Sequence, residues 1–155
     1  MMQSYVVYTD GSCLKNPGGP GGYACVVIEE STGDVIYSES HSELITTNNR
    51  MELMAAIMAL NNFQDRTKVT IVTDSTYVKN GFENHWVDNW IKNGWVNTNK
   101  QPVKNKDLWL QLLALVKKHE VRFKWVKGHN ANEYNEMADI LARNAAIDAG
   151  LGKTK

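Results

Sequence analysis

Residues 46–75, TTNNRMELMAAIMALNNFQDRTKVTIVTDS, decide the fold class of this chain. Thr46-Thr47-Asn48-Asn49 supplies capping residues for a helix predicted to run through Phe63. Val69 to Thr73 follows as a β-branched strand, with a short helix expected from Ser75. Upstream, Tyr5 to Thr9 reads as a buried strand ending at Asp10-Gly11, and Gly11 to Gly22 as a glycine- and proline-rich turn. Tyr23 to Ile28 and Val35 to His41 are two further strands, and short connections predict an antiparallel meander. Downstream comes a Trp-, Asn- and Lys-rich stretch over roughly 81–106. A helix is predicted over Leu108 to His119, a fifth strand over Val121 to Val126, and a helix over about Glu133 to Ala149. Because the last two strands alternate with helices, they are expected to pair in parallel. The expected architecture is α/β, a mixed five-stranded sheet with helices on its faces. One domain over 1–149 and a flexible tail over 150–155 are expected.

Composition narrows the classes. Hydrophobic residues make up 43% and charged residues 22%, the balance of an ordinary globular chain. No apolar run approaches the ~18 residues of a membrane span. The N-terminus lacks a basic region followed by an apolar stretch, so no signal peptide is expected. Cys13 and Cys25 form neither a zinc pattern nor a disulfide framework, and both are read as reduced thiols of a cytoplasmic protein. The net charge of zero hides a gradient. Residues 1–68 hold eight acids and four bases, whereas residues 79–127 hold four acids and ten bases. Such a basic half suits phosphate binding, or is simply a solvated lysine-rich surface.

Four acids stand out, and each has a plain structural reading. Asp10 with Gly11 is a turn pair. Glu52 fits a capping box with Asn49. Asp74 could cap the helix beginning at Ser75. Asp139 could pair with Arg143 one turn on. Placement joins them. Asp10 and Asp74 end strands, where functional groups of open α/β sheets gather. Glu52 shares a helix stripe with Ala55, Ala56 and Ala59, and Asp139 with Ala142 and Ala146, which suits close approach to the sheet. Four carboxylates so close cannot all stay ionised unaided, and Mg²⁺ prefers oxygen ligands. Two such ions can activate water and stabilise the leaving oxygen in phosphodiester cleavage.

Five motifs carry a resemblance over nearly the whole chain. They are Thr9-Asp10-Gly11-Ser12-Cys13 with Asn16-Pro17-Gly18; Thr46-Thr47-Asn48-Asn49-Arg50-Met51-Glu52-Leu53; Thr73-Asp74-Ser75 with Tyr77-Val78; Trp125-Val126-Lys127-Gly128-His129; and Asn135-Glu136 with Ala138-Asp139. In order and spacing they resemble type 1 ribonuclease H, of the bacterial ribonuclease HI kind. The resemblance implies the ribonuclease H-like fold with strand order 3-2-1-4-5. It implies endonucleolytic cleavage of the RNA strand of RNA–DNA hybrids with one or two Mg²⁺ ions, or Mn²⁺ as substitute. The ends left would be 5′-phosphate and 3′-hydroxyl. Asp10, Glu52, Asp74 and Asp139 match the metal-binding carboxylates. His129 matches the family's loop histidine that assists proton transfer or product release, a role its ordinary pKa of ~6.5 suits. His41, His85 and His119 receive no such assignment. Gly11, Asn16 and Asn48 would contact the hybrid near the cut, and Thr47 the DNA backbone. Trp86, Lys92 and Lys100 would belong to a basic protrusion, with at least two of Trp86, Trp90 and Trp95 serving as core. A monomer is expected.

The chain also departs from the family pattern. Ile91, Asn93, Val96 and Gln101 thin the protrusion's charge, and Thr76 stands where glutamine is frequent. Ala131 and Asn132-Glu133-Tyr134 alter the histidine loop. Integrases, transposases and resolvases arrange their acids differently. A non-catalytic hybrid-binding module would not need four acids and a histidine.

Overall fold

The computed structural model describes residues 3–127 and 132–152. Five strands form one sheet: β1 (Ser4–Cys13), β2 (Gly21–Glu29), β3 (Val35–Glu43), β4 (Lys68–Thr73) and β5 (Glu120–Trp125). Their order is β3-β2-β1-β4-β5. The meander β1–β2–β3 is antiparallel, and β4 and β5 are parallel to β1 and to each other. Five helices complete the chain: α1 (Asn48–Asn61), α2 (Thr76–Glu83), α3 (Trp86–Lys92), α4 (Lys106–Lys118) and α5 (Glu133–Gly150).

Period-two alternation sorts the strand residues between two helical layers. Val7, Cys25, Val27, Val69 and Ile71 face α1 and α4 and pack with Leu53, Leu60, Trp109 and Leu112. Val26 and Ile28 face the other way, toward Ala138 of α5, joined by Val6 and Tyr8. Buried Ala138, Ala142, Ala146 and Ala149 form the contact stripe of α5. Across from it, a Cβ on Gly22 would run into the Ala142 carbonyl, so small residues on both sides let helix and sheet close up. Ala55, Ala56 and Ala59 do the same for α1, all essentially without exposure. Trp109 is fully buried, and its indole N–H donates to Tyr77 Oη at 2.9 Å, which removes the cost of burying that group.

Some boundaries differ from the sequence-based expectation, for physical reasons. β1 does not end at Asp10. It stays paired with β2 through Gly11↔Tyr23 to Cys13↔Gly21, so long-range pairing overrides the Asp-Gly turn signal and shortens the loop. Thr47 caps α1 by accepting the Arg50 N–H at 3.2 Å, which leaves Glu52 out of any capping box. Ser75, not Asp74, caps α2, accepting from Val78 N–H at 3.1 Å. The 81–106 stretch contains α3 and an isolated Val96–Pro102 bridge. Gly150 is still helical, so the last helix outlasts the expected tail boundary.

Candidate active site

β4 pairs with β1 only as far as Tyr8↔Val72, whereas β1 runs on beside β2. Past that point the two parallel strands part. Asp10 lies on one side of the gap, opposite Ala24, and Asp74 lies on the other, directly after Thr73. Asp74 is held firmly. Its neighbour Ser75 donates its N–H to Thr73 Oγ1 at 3.0 Å, and the Trp125 indole N–H donates to the Asp74 carbonyl at 3.1 Å. Lys79 stands over the Trp125 ring, 4.7 Å from its centroid.

Glu52 reaches the same gap from α1. The helix lies so tight on β1 that a Cβ on Gly11 would stand 2.5 Å from Glu52 N and Met51 C. Oxygens of Asp10, Glu52 and Asp74 come within 4.8 Å of one another. Asp139 enters from α5 and lines the same cavity of about 460 Å³. Its carboxylate also lies 3.8 Å from Arg143, so the helical pair expected from sequence forms as well.

Electrostatics set this cluster apart from a surface patch. Asp10 is only 5% exposed. Burial first, then the Asp74 and Asp139 carboxylates, push its pKa up to about 9. Burial, with Asp10 and Asp74 adding to it, raises Glu52 well above the usual carboxylate range. Glu52 Oε1 is buried without a hydrogen-bond partner. Without an ion these groups hold protons, and an orphaned oxygen facing two more carboxylates also suits a hard cation with oxygen preference. The donor set is all oxygen, as Mg²⁺ and Mn²⁺ prefer.

The remaining expected residues divide. Gly11 and Asn48 line the cavity. Asn16 sits beside them, its Oδ1 accepting the Asn48 N–H at 3.2 Å. Thr47 is occupied as the α1 cap. Trp86, Lys92 and Lys100 are not among the cavity-lining residues. Trp86 belongs to an aromatic chain, 6.1 Å from both Tyr77 and Trp90, while Lys92 and Lys100 are exposed. Trp90 and Trp95 pack against the core. His129 lies outside the described residues.

Tyr77, Asn135 and Glu136 stand in the motifs quoted from the sequence but received no role there, yet all three line the cavity. Helical spacing could have found two of them, since Asn135 and Glu136 precede Asp139 by one turn on α5. Tyr77 needed the tertiary structure. Its hydroxyl receives Asn105 Nδ2 at 3.2 Å and Trp109 Nε1 at 2.9 Å. Asn105 Oδ1 in turn accepts from Arg50 Nη1 at 3.1 Å, and Arg50 forms a two-pronged pair with Asp107. This network ties the start of α1 to the start of α4.

A mixed sheet in this order, with acids converging where its central strands part, defines the ribonuclease H-like fold class. The chain belongs to the RNase H family, whose model matches residues 2–147. Ribonuclease H of Pseudoalteromonas atlantica is 50% identical over 150 residues, covering 97% of this chain and 95% of that one. Among solved structures, LC9-RNase H1, a type 1 RNase H with the type 2 active-site motif, is similar with a TM-score of 0.85 at 34% identity. The match covers 96% of this chain and 74% of that one. LC11-RNase H1, solved in complex with RNA/DNA hybrid, is similar with a TM-score of 0.69 at 25% identity, covering 94% and 98%. No helix among the described residues is long and apolar enough to cross a membrane.

Proposed function

We propose that this RNase H family endonuclease hydrolyses the RNA strand of RNA–DNA hybrids, with Asp10, Glu52, Asp74 and Asp139 holding one or two Mg²⁺ ions. Mn²⁺ would substitute, being another oxygen-preferring divalent ion. The observation that carries the reading is the orphaned Glu52 Oε1 inside a three-carboxylate cluster. Support for the substrate comes from the similar LC11-RNase H1, which is itself in complex with RNA/DNA hybrid. A bound divalent ion would lower the pKa of water and stabilise the leaving oxygen.

The chain's own residues do the rest. Water adds to phosphorus, the P–O3′ bond breaks, and the 3′ oxygen takes up a proton. The products are a 5′-phosphate and a 3′-hydroxyl. His129 is suited to carry a proton near neutrality. Gly11 and Asn48, which line the cavity, and Asn16, bonded to Asn48, would offer backbone and amide groups to the 2′-hydroxyl side of the RNA. Thr47, already turned toward the α1 backbone, would meet the DNA strand. Trp86, Lys92 and Lys100 would meet the hybrid beyond the cavity, the lysines at phosphates and the indole at a sugar or base. The reading includes a single catalytic domain, a cytoplasmic location and a monomer. Cell fractionation and light scattering test the last two.

Labelled RNA–DNA, RNA–RNA and DNA–DNA duplexes offered with Mg²⁺ test the function. Cutting confined to the RNA of the hybrid is expected. Cutting of the DNA duplex, or none of the hybrid, would overturn it.

A further inference from the structure

On one side of the sheet the β5 edge stays exposed. α5 lies on β1, β2 and β3. On that same side, Thr70 and Val72 of β4 are in register with Arg122 and Lys124 of β5. The opposite-facing residues of these strands, Val69, Ile71, Val121 and Phe123, belong to the α1–α4 core, so the alternation puts Arg122 and Lys124 on the α5 side. Both are exposed, and neither forms an ion pair among the described residues. Glu120, the acid two residues before Arg122 on the same face, is paired with Lys68 at 3.8 Å. The two cations are therefore not neutralised from within the strand. Exposed Lys127 follows just past the strand.

The sheet register relates this strip to the active site. Lys124 is in register with Val72, and Val72 with Tyr8, two residues before Asp10. Two residues of strand put about 6.6 Å between Arg122 and Lys124, room for one phosphate at each. An edge strand carrying unpaired cations is also protected from pairing with another strand, so the charges alone have a second explanation. What favours a ligand is their confinement to one face together with a register that sets Lys124 two strands from Tyr8, itself two residues before Asp10.

We infer that Arg122 and Lys124 form a phosphate-binding strip that holds the backbone of a hybrid extending past the active-site cavity along β5. The inference rests on the hybrid-cleaving reading above and adds a surface on β5 to the protrusion of Trp86, Lys92 and Lys100. Each lost phosphate contact lowers the slope of log K against log salt by about one, so losing both lowers it by about two.

The experiment compares the full chain with Arg122→Gln/Lys124→Gln and with Lys117→Gln/Lys118→Gln, which removes equal charge from the last turn of α4. Hybrid affinity is measured across a salt series. One hybrid spans only the cavity, and one is extended to either side. Expected is a roughly tenfold weaker Kd at low salt and a slope reduced by about two. Both effects should be confined to the extended hybrid and to the β5 variant, with turnover of the short hybrid unchanged. Equal weakening by both variants would mean general electrostatic attraction and overturn the strip. Unchanged affinity of the β5 variant would overturn it too. Wild-type failure to cut any hybrid would instead sink the functional reading beneath it, so the two failures are distinguishable.

Discussion

Replacing Gly11 with alanine is a sharp test of how the site is built. The new Cβ would stand 2.5 Å from Glu52 N and Met51 C, and 2.8 Å from Met51 Cβ. Two of these three are backbone atoms of α1. Gly11 itself cannot retreat, because it sits in the ladder opposite Tyr23. Ordinary contact begins at 3.4 Å, so α1 must lift by about 0.9 Å at its first turns. Overpacking of this kind costs about 1–3 kcal/mol, which at this chain length lowers Tm by roughly 2–4 °C per kcal/mol. Glu52 moves with the helix. A misplacement of ~1 Å can cost about a hundredfold in rate. Steady-state cleavage of a hybrid and thermal melting are measured side by side. A hundredfold lower kcat together with a lower Tm is expected. A raised KM with unchanged Tm and kcat would mean that Gly11 acts only as a substrate contact and that the helix-seating argument is wrong.

Asp10→Asn should abolish cleavage in Mg²⁺ while leaving hybrid binding intact, and full activity would sink the metal assignment. The same residue predicts a pH effect. Its folded pKa, about 9, lies above the unfolded value of 3.8. Stability from the protonated form is thus present below 3.8 and lost as pH rises through about 9. In EDTA, melting temperature should fall with rising pH in wild type more than in Asp10→Asn, and Mg²⁺ should flatten the wild-type profile. Matching profiles would refute the cluster's strain. His119 has the opposite sign. It is 2% exposed, and its Nδ1 accepts the Thr67 N–H at 3.1 Å, so the ring must stay neutral. Burial, then Lys118, lowers its pKa below 6.5. Stability it carries is full above 6.5 and lost as pH falls through the lower folded value. Urea midpoints should show this acid loss in wild type and not in His119→Gln; equal curves would refute it. His129→Ala should slow turnover without stopping it, and an unchanged kcat would remove His129 from the mechanism.

The fold was legible where pattern and pairing agree. The β-branched run Val69–Thr73 and the capped start of α1 came out within a residue or two of expectation. Legibility failed where a distant partner decides. Asp10-Gly11 reads locally as a turn, yet β2 pairs with it and carries β1 on to Cys13. Val35, Ile36 and Tyr37 read as an apolar strand. They are 40–50% exposed, because β3 is the sheet edge and has a strand neighbour, β2, on one side alone among the described residues. Trp109 lies off the apolar stripe that Leu108, Leu112, Leu115 and Val116 make along α4, yet among the described residues it is the largest fully buried side chain. Its burial depends on the Tyr77 hydroxyl, contributed from 32 positions away. For the acids, identity was legible and mutual distance was not. The small-residue stripes beside Glu52 and Asp139 were the local sign that these helices would come close.

Those stripes also explain how the chain keeps like charges together. Repulsion among Asp10, Glu52 and Asp74 would be relieved most cheaply by letting one backbone drift away. Each is anchored by contacts that do not involve its carboxylate. The β1–β2 ladder holds Asp10, the helix seat over Gly11 holds Glu52, and Trp125 and Ser75 fix the backbone around Asp74. Because these anchors belong to different elements, the strain cannot be released by one local movement. Protonation or a divalent cation must relieve it instead. The same rigidity that makes the metal-free cluster costly leaves little reorganisation when an ion binds, which is the condition for electrostatic catalysis at a preformed site.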